Sequence, residues 1–168
     1  LPEKTPESPT KSKKSPKKRL ASGEIIYVGT HKITRNLIPS HAKRVVETLQ
    51  EHDFAAFIVG GAVRDLLLNK TPKDFDVATN ATPEEVRRIF RRSRIIGRRF
   101  QIVHVMMGNE TIEVTTFRAP HVKETAQTTH TSQADEEGRL LRDNVFGTQK
   151  EDAARRDFTV NGFYYDPS

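Results

Sequence analysis

Residues 57–79 read FIVGGAVRDLLLNKTPKDFDVAT. An apolar run, Phe57-Ile58-Val59, ends in Gly60-Gly61. Arg64 follows at the start of a helical pattern, and after a short loop come Asp74 and Asp76, one residue apart. Glycines after a strand let the backbone come close to a phosphate, because no Cβ stands in the way. The helix start beyond them adds oriented N–H groups and a positive dipole end. Alternate residues of a strand share a face, so Asp74 and Asp76 are expected to point the same way, with Phe75 opposite. Two carboxylates on one face beside a phosphate cradle are what a divalent metal needs to hold a nucleoside triphosphate. Alone, an Asp-x-Asp or a Gly-Gly is a weak signal, since solvated strand ends and turns produce both. The weight rests on finding them together at this spacing.

Outward from this stretch, the pattern alternates helices and strands. Pro39 to His52 is predicted to be a helix, with Ser40 as N-cap and Ala42, Val45, Val46 and Leu49 recurring at helical spacing. Ala56 to Val59 reads as the first core strand, Ala62 to Leu68 as the next helix, and Asp74 to Ala78 as a second strand. Thr82-Pro83-Glu84-Glu85 starts a helix that runs to about Phe90, with Thr82 as N-cap and Pro83 at the first helical position. Gln101 to Met107 and Thr111 to Phe117 are β-branched strands joined by a turn at Gly108-Asn109. Residues 119–142 carry no periodicity and read as a long loop. A final helix is expected from Glu151 to Tyr165. Gly23 to Tyr27 is short and extended. The fold class that follows is α/β: a small mixed sheet with flanking helices.

The chain has 168 residues, of which 35% are hydrophobic and 30% charged. That allows one domain with a modest core. The absence of cysteine excludes disulfides and thiolate metal sites and fits a reducing compartment. No apolar run reaches membrane-spanning length, so the expected address is the cytoplasm. The net charge is +6. Residues 1–22 hold seven Lys or Arg against Glu3 and Glu7, a surplus of +5, which leaves +1 for everything else. That Pro-, Ser- and Lys-rich tail is predicted to be disordered. It serves either as a solvated extension or as an arm that attracts RNA phosphate. A first residue other than Met and the abrupt end at Ser168 suggest a piece of a longer protein.

A third acid is expected from a neighbouring strand. Glu113, inside TIEVTTF, is the best candidate, the alternative being a solvent-facing strand residue. In EDAARRDFTVN, Glu151 to Arg155 and Asp152 to Arg156 stand at i,i+4, which would support a helix without any function. Arg156 is suited to phosphate by its planar fork. IIGRRFQIVHV, residues 95–105, reads as a strand with a basic lead-in. His104 within it is expected to be a core residue with one nitrogen satisfied, and no histidine cluster has metal-ligand spacing.

GGAVRDLLLNKTPKDFD and EDAARRDFTVNGFYYD, in that order, resemble the two signatures of the nucleotidyltransferase branch that holds bacterial poly(A) polymerases and CCA-adding tRNA enzymes (class II). IIGRRFQIVHV, DNVFGTQKEDAARRDFTVNGFYYD and HKITRNLI look more like the polymerase group. The resemblance covers about residues 31–166. One departure is Gly162, where the family usually carries alanine. Glycine weakens a helix interior by about 0.5–1 kcal/mol.

The resemblance implies a nucleotidyltransferase head over residues 23–168. It further implies magnesium-dependent addition of AMP from ATP to an RNA 3′ end, and helical RNA-binding domains that follow the head and are absent here. It implies that Asp74 and Asp76 are metal ligands and that Gly60, Gly61 and Arg64 bind the triphosphate. Arg156 would touch the triphosphate or sugar. Asp157 would orient the arginine or the ribose and line the catalytic pocket beside Glu113. The alternatives are a CCA-adding enzyme, which would use the same residues, and a nucleotide- or RNA-binding module without turnover.

Overall fold

A computed structural model describes residues 28–98, 100–119 and 146–168. The tail 1–22, the extended reading of 23–27, and the long loop beyond residue 119 lie outside the described residues, as does Arg99. Among the described residues no helix is long and apolar enough to cross a membrane.

After a 3-10 turn at Arg35–Leu37, helix α1 runs Ser40–Glu51 and buries Ala42, Val45, Val46 and Leu49, the predicted stripe. Ser40 is its first helical residue rather than its cap. Pro39 occupies the cap position, with no side-chain cap bond. Strand β1 is Ala56–Val59 and helix α2 is Gly61–Leu67. Strand β2 is Asp76–Thr79, later than expected, so Asp74 lies ahead of it. The cause is β1. It pairs antiparallel with β2 from Ala56↔Thr79 to Val59↔Asp76 and then turns away at Gly60, which removes the β1 partner Asp74 would have had.

Helix α3, Pro83–Ile89, carries the expected cap. The Thr82 hydroxyl accepts from the Glu85 N–H, and Glu85 reaches back to the Thr82 N–H. Strand β3, Ser93–Ile96, was not foreseen as separate from the next strand. It is an edge strand whose arginine sits on the exposed side, so its apolar alternation is short: only Ser93 is buried, with Ile95 half-buried. Strands β4, Ile102–Met107, and β5, Glu110–Thr116, form the predicted hairpin, with Gly108 at φ +66° in the turn.

The last helix is much shorter than expected. Helix α4 is Gln149–Ala154, opened by a capping box between Thr148 and Glu151. A 3-10 turn follows at Thr159–Asn161, then strand β6, Tyr164–Tyr165. β-Branched Thr159 and Val160 followed by Gly162 are poor helix formers, and β1 offers an open edge that the tyrosines fill (Ile58↔Tyr165, Val59↔Tyr164). Gly162 therefore caps a turn and weakens no helix interior.

The sheet order is β3-β4-β5-β2-β1-β6, with β2 and β5 parallel and the other pairs antiparallel. Helices α1, α2 and α3 cover one face. There Ile58, Val77, Val103, Val105, Ile112 and Val114 meet Val45, Val46, Leu49, Val63, Leu66 and Val86. The other face carries no helix from this group. Phe57, Phe117 and Tyr164 pack on it beside Val59 and Ala78, with ring centroids 6.0–6.4 Å apart. Asp76, Glu113 and His104 belong to this open face, because the pleat puts them opposite the core residues Val77, Val114 and Val105. His104 is thus half-exposed and not a core residue.

Candidate active site

The site begins where β1 stops. Gly60 takes φ +67° and ψ −129°, a conformation reserved for glycine. Its N–H donates to the Phe163 carbonyl at 3.2 Å, so the turn is stitched to the C-terminal segment. A Cβ on Gly60 would lie 3.5 Å from Arg156 Nη1, and one on Gly61 3.6 Å from Arg64 Nη2. The two glycines therefore lie against two guanidinium groups that come from segments far apart in sequence. Asn161 joins them. Its Oδ1 accepts from Arg64 Nη1 at 3.3 Å, and its backbone carbonyl accepts from Arg156 Nη1 at 3.3 Å. Arg64 is steadied by Asp65 at 2.8 Å. Arg156 also lies over the Tyr164 ring at 5.5 Å, and its buried Nε has no partner.

What holds Arg156 is Asp152. This carboxylate is 1% exposed. It accepts from Arg156 Nη2 at 3.0 Å, from Arg155 at 2.6 and 2.9 Å, from the Tyr164 hydroxyl at 2.5 Å and from the Arg118 N–H at 3.1 Å. Burial alone would push its carboxyl up, but these bonds together outweigh burial and hold it below the ordinary carboxylate range. For Tyr164, burial and then the Asp152 charge raise its hydroxyl well above the usual tyrosine value. Asp157, expected to orient the arginine, is exposed. It accepts from its own neighbour's N–H, that of Phe158, at 2.9 Å, and from the Asn161 amide at 3.5 Å. The reason is that α4 ends before it, so 157 no longer follows the helical face that 152 and 156 share. Of the expected i,i+4 pairs, Asp152 with Arg156 forms. Glu151 is instead spent on capping Thr148. The signal for Asp152 lay in Thr148-x-x-Glu151, which fixes where the helix starts and hence that 152 turns inward.

The acids gather at the start of β2. The parallel register pairs Val77 with Val114, so one residue earlier Asp76 stands beside Glu113. Burial, then Glu113, then Asp74 raise the Asp76 pKa, with Arg156 opposing them. Glu113 and Asp74 thus both bear on Asp76, and Arg156 reaches the same carboxylate. Asp157 is not among the charges that shift Asp76. His104 Nε2 lies 4.0 Å from Glu113 Oε2. Among the described residues no three acid or imidazole groups could hold a metal ion unaided. Magnesium does not require that. It keeps waters and binds through one or two carboxylates plus substrate phosphates. An all-oxygen donor pair beside two arginines fits such an ion.

Residues 56–168 match the poly(A) polymerase head domain. The chain belongs to that family. Poly(A) polymerase I of Haemophilus influenzae is 50% identical over 158 residues, which are 94% of this chain and 34% of that protein. Poly(A) polymerase I of Escherichia coli is 55% identical over 135 residues, 80% of this chain and 29% of that protein. A CCA-adding enzyme of Staphylococcus haemolyticus is 39% identical over 127 residues, 76% of this chain and 29% of that protein. Among solved structures, the Bacillus stearothermophilus CCA-adding enzyme in complex with CTP superposes with a TM-score of 0.56 at 34% identity, over 76% of this chain and 27% of that one. The mixed sheet with flanking helices is therefore the nucleotidyltransferase head architecture. The chain spans about a third of the length of the curated relatives it matches.

Proposed function

We propose that this head catalyses template-independent transfer of AMP from ATP to an RNA 3′ end, as a poly(A) polymerase does. The observation that carries the reading is the meeting of the Gly60-Gly61 turn, Arg64 and Arg156 beside a carboxylate, Asp76, whose pKa burial and neighbouring acids raise. The identity to poly(A) polymerase I proteins, 50–55%, against 39% to a CCA-adding enzyme favours adenylate addition.

In this reading Gly60 and Gly61 admit the triphosphate close to backbone, and Arg64 and Arg156 bind its oxygens. Asp74 and Asp76 hold magnesium, and Glu113 completes the acidic pocket. Bound magnesium supplies charge neutralisation on the attacking and leaving oxygens. The RNA 3′-hydroxyl gives up its proton to solvent as its oxygen forms a bond to the α-phosphorus, the bond to the β-phosphate oxygen breaks, and pyrophosphate leaves. Asp152 keeps Arg156 in place through this change of charge, and Asp157 lies at the ribose side. The Lys-rich tail, residues 1–22, adds an electrostatic arm for RNA, and the cytoplasm is the compartment in which RNA and ATP meet it.

Primer extension by the full-length protein, with each nucleotide offered alone, tests this. Many adenylates should be added to an unstructured RNA, with little use of CTP. Asp74→Ala or Asp76→Ala should lower the rate on the order of a thousandfold, since each removes several kcal/mol of charge stabilisation. Ordered addition of two C and one A to a tRNA lacking its CCA end, followed by termination, would instead select the CCA-adding reaction. ATP binding with no extension of any RNA would select a binding module.

A further inference from the structure

Six arginines crowd the outer edge of the sheet: Arg87 and Arg88 on α3, Arg91 and Arg92 in the turn, Arg94 in β3 and Arg98 beyond it. All six are exposed. None makes an ion pair or side-chain hydrogen bond among the described residues. The segment that bears them is firmly held. The Ser93 hydroxyl donates to the Phe90 carbonyl at 2.6 Å, and the Met106 N–H to the Arg92 carbonyl at 2.9 Å. One charge is enough to stop an edge strand from pairing with another sheet. Six unpaired guanidinium groups within twelve residues repel one another and exceed that need.

The position of Arg94 gives this edge a direction. Arg94 pairs with His104, and His104 pairs with Glu113. Glu113 stands beside Asp76 in the β5–β2 register. Paired residues point to the same face, so Arg94, His104, Glu113 and Asp76 form one row across the open face. The row is three strand spacings long, about 14 Å from Arg94 to Asp76.

We propose that Arg91, Arg92, Arg94 and Arg98 bind the phosphates of a single-stranded RNA that runs from the β3 edge across the open face to Asp76. The inference rests on the reading above that an RNA 3′ end is the acceptor. The arginines then hold the strand behind the reacting terminus. Guanidinium forks bind phosphate oxygens in pairs, and their planes also stack on unpaired bases. An acidic protein partner would be drawn to the same charge, but it would give no reason for the row to end at the acids.

The test uses the full-length protein and a fluorescent, 3′-blocked RNA of roughly 16 nucleotides. Anisotropy measures its affinity over a range of salt. In the Arg91→Gln/Arg92→Gln double variant, affinity should fall about tenfold, and the log–log salt slope should become shallower by roughly 1.4, the effect of two lost single-strand contacts. Arg94→Gln should show a smaller change of the same kind. Lysine at 91 and 92 should restore most of the affinity. Binding of Mg·ATP and the melting temperature should match the parent. Unchanged RNA affinity and salt slope in both glutamine variants would overturn the proposal and turn attention to an acidic protein partner. Because the binding assay needs no catalysis, a protein that extends no RNA would defeat the functional reading alone.

Discussion

Tyr164 shows how one side chain can join a fold to its site. Its ring packs with Phe57 and Phe117 on the open face, and its hydroxyl donates to the buried Asp152. Replacing it with Phe keeps the ring and leaves the carboxylate one donor short. A hydrogen bond to a charged group is worth about 2 kcal/mol, and unfolding in denaturant at pH 7 should register that loss. The pH dependence separates this cause from lost packing. The Tyr164 pKa is raised by folding, so its contribution is complete below the ordinary value near 10 and is lost as pH rises above it. The Phe variant should show a flatter decline of stability above pH 10 than the parent. The Asp152 pKa is depressed, so its contribution is present above about pH 3.9 and is lost as pH falls below it. Asp152→Asn should flatten that acid limb. It should also be strongly destabilising at neutral pH, by about 3 kcal/mol, because two arginines lose their counter-charge.

Among the described residues two helices open with the same cap, and only one of them serves the candidate site. Thr82 caps α3 and Thr148 caps α4, each through a reciprocal bond with the glutamate three residues on. Thr82→Ala and Thr148→Ala should each cost about 1 kcal/mol. Only Thr148→Ala should also weaken ATP binding, because α4 carries the Asp152 that holds Arg156. Calorimetric titration with a non-hydrolysable ATP analogue checks this, and equal nucleotide affinity in the two variants would detach α4 from the site. The α3 cap, the α1 stripe and the Gly108 hairpin were legible in the sequence because each depends on neighbours a few residues away. Where the outcome depends on a distant partner, the pattern misled. Asp74 was expected in a strand, but β1 turns off before it. Tyr164 and Tyr165 were expected in a helix, but the free edge of β1 claims them. Asp74, Asp76, Glu113, the glycines and the arginines stood out in the sequence as candidates, and Asp152 only as a helix-supporting partner of Arg156. That Asp152 rather than Asp157 bears on Arg156 depends on where α4 ends, which depends in turn on β6.

Among the described residues the sheet has one face sealed by helices and one open face that bears the acids, His104 and the Phe57–Phe117–Tyr164 cluster. A ligand settling on the open face should stabilise the fold by mass action, by about 2.7 kcal/mol at a hundred times its dissociation constant. Mg·ATP should therefore raise the melting temperature. EDTA should remove most of the rise, since the triphosphate would then face Asp74 and Asp76 without a cation between them. In Asp76→Asn the ligand-free protein should melt no lower than the parent, because folding raises the Asp76 pKa and the ionised carboxylate is a burden at neutral pH. A large Mg·ATP shift that persists in EDTA would show that the arginines bind nucleotide without the acids.

The closing of β6 on β1 also has a consequence in time. Asp74, Asp76 and Glu113 are all synthesised before Thr116, whereas Asn161, the residue that ties Arg64 to Arg156, comes roughly fifty residues later. At ribosomal rates that is a delay of several seconds. During it the nascent chain owns its carboxylates and its glycine turn, yet the Phe163 carbonyl that pins Gly60 does not exist. A ribosome-bound chain arrested after Thr116 should take up no ATP, while one extended past Ser168 with enough linker to clear the exit tunnel should. The nascent chain is thus expected to lack its nucleotide site until β6 has emerged.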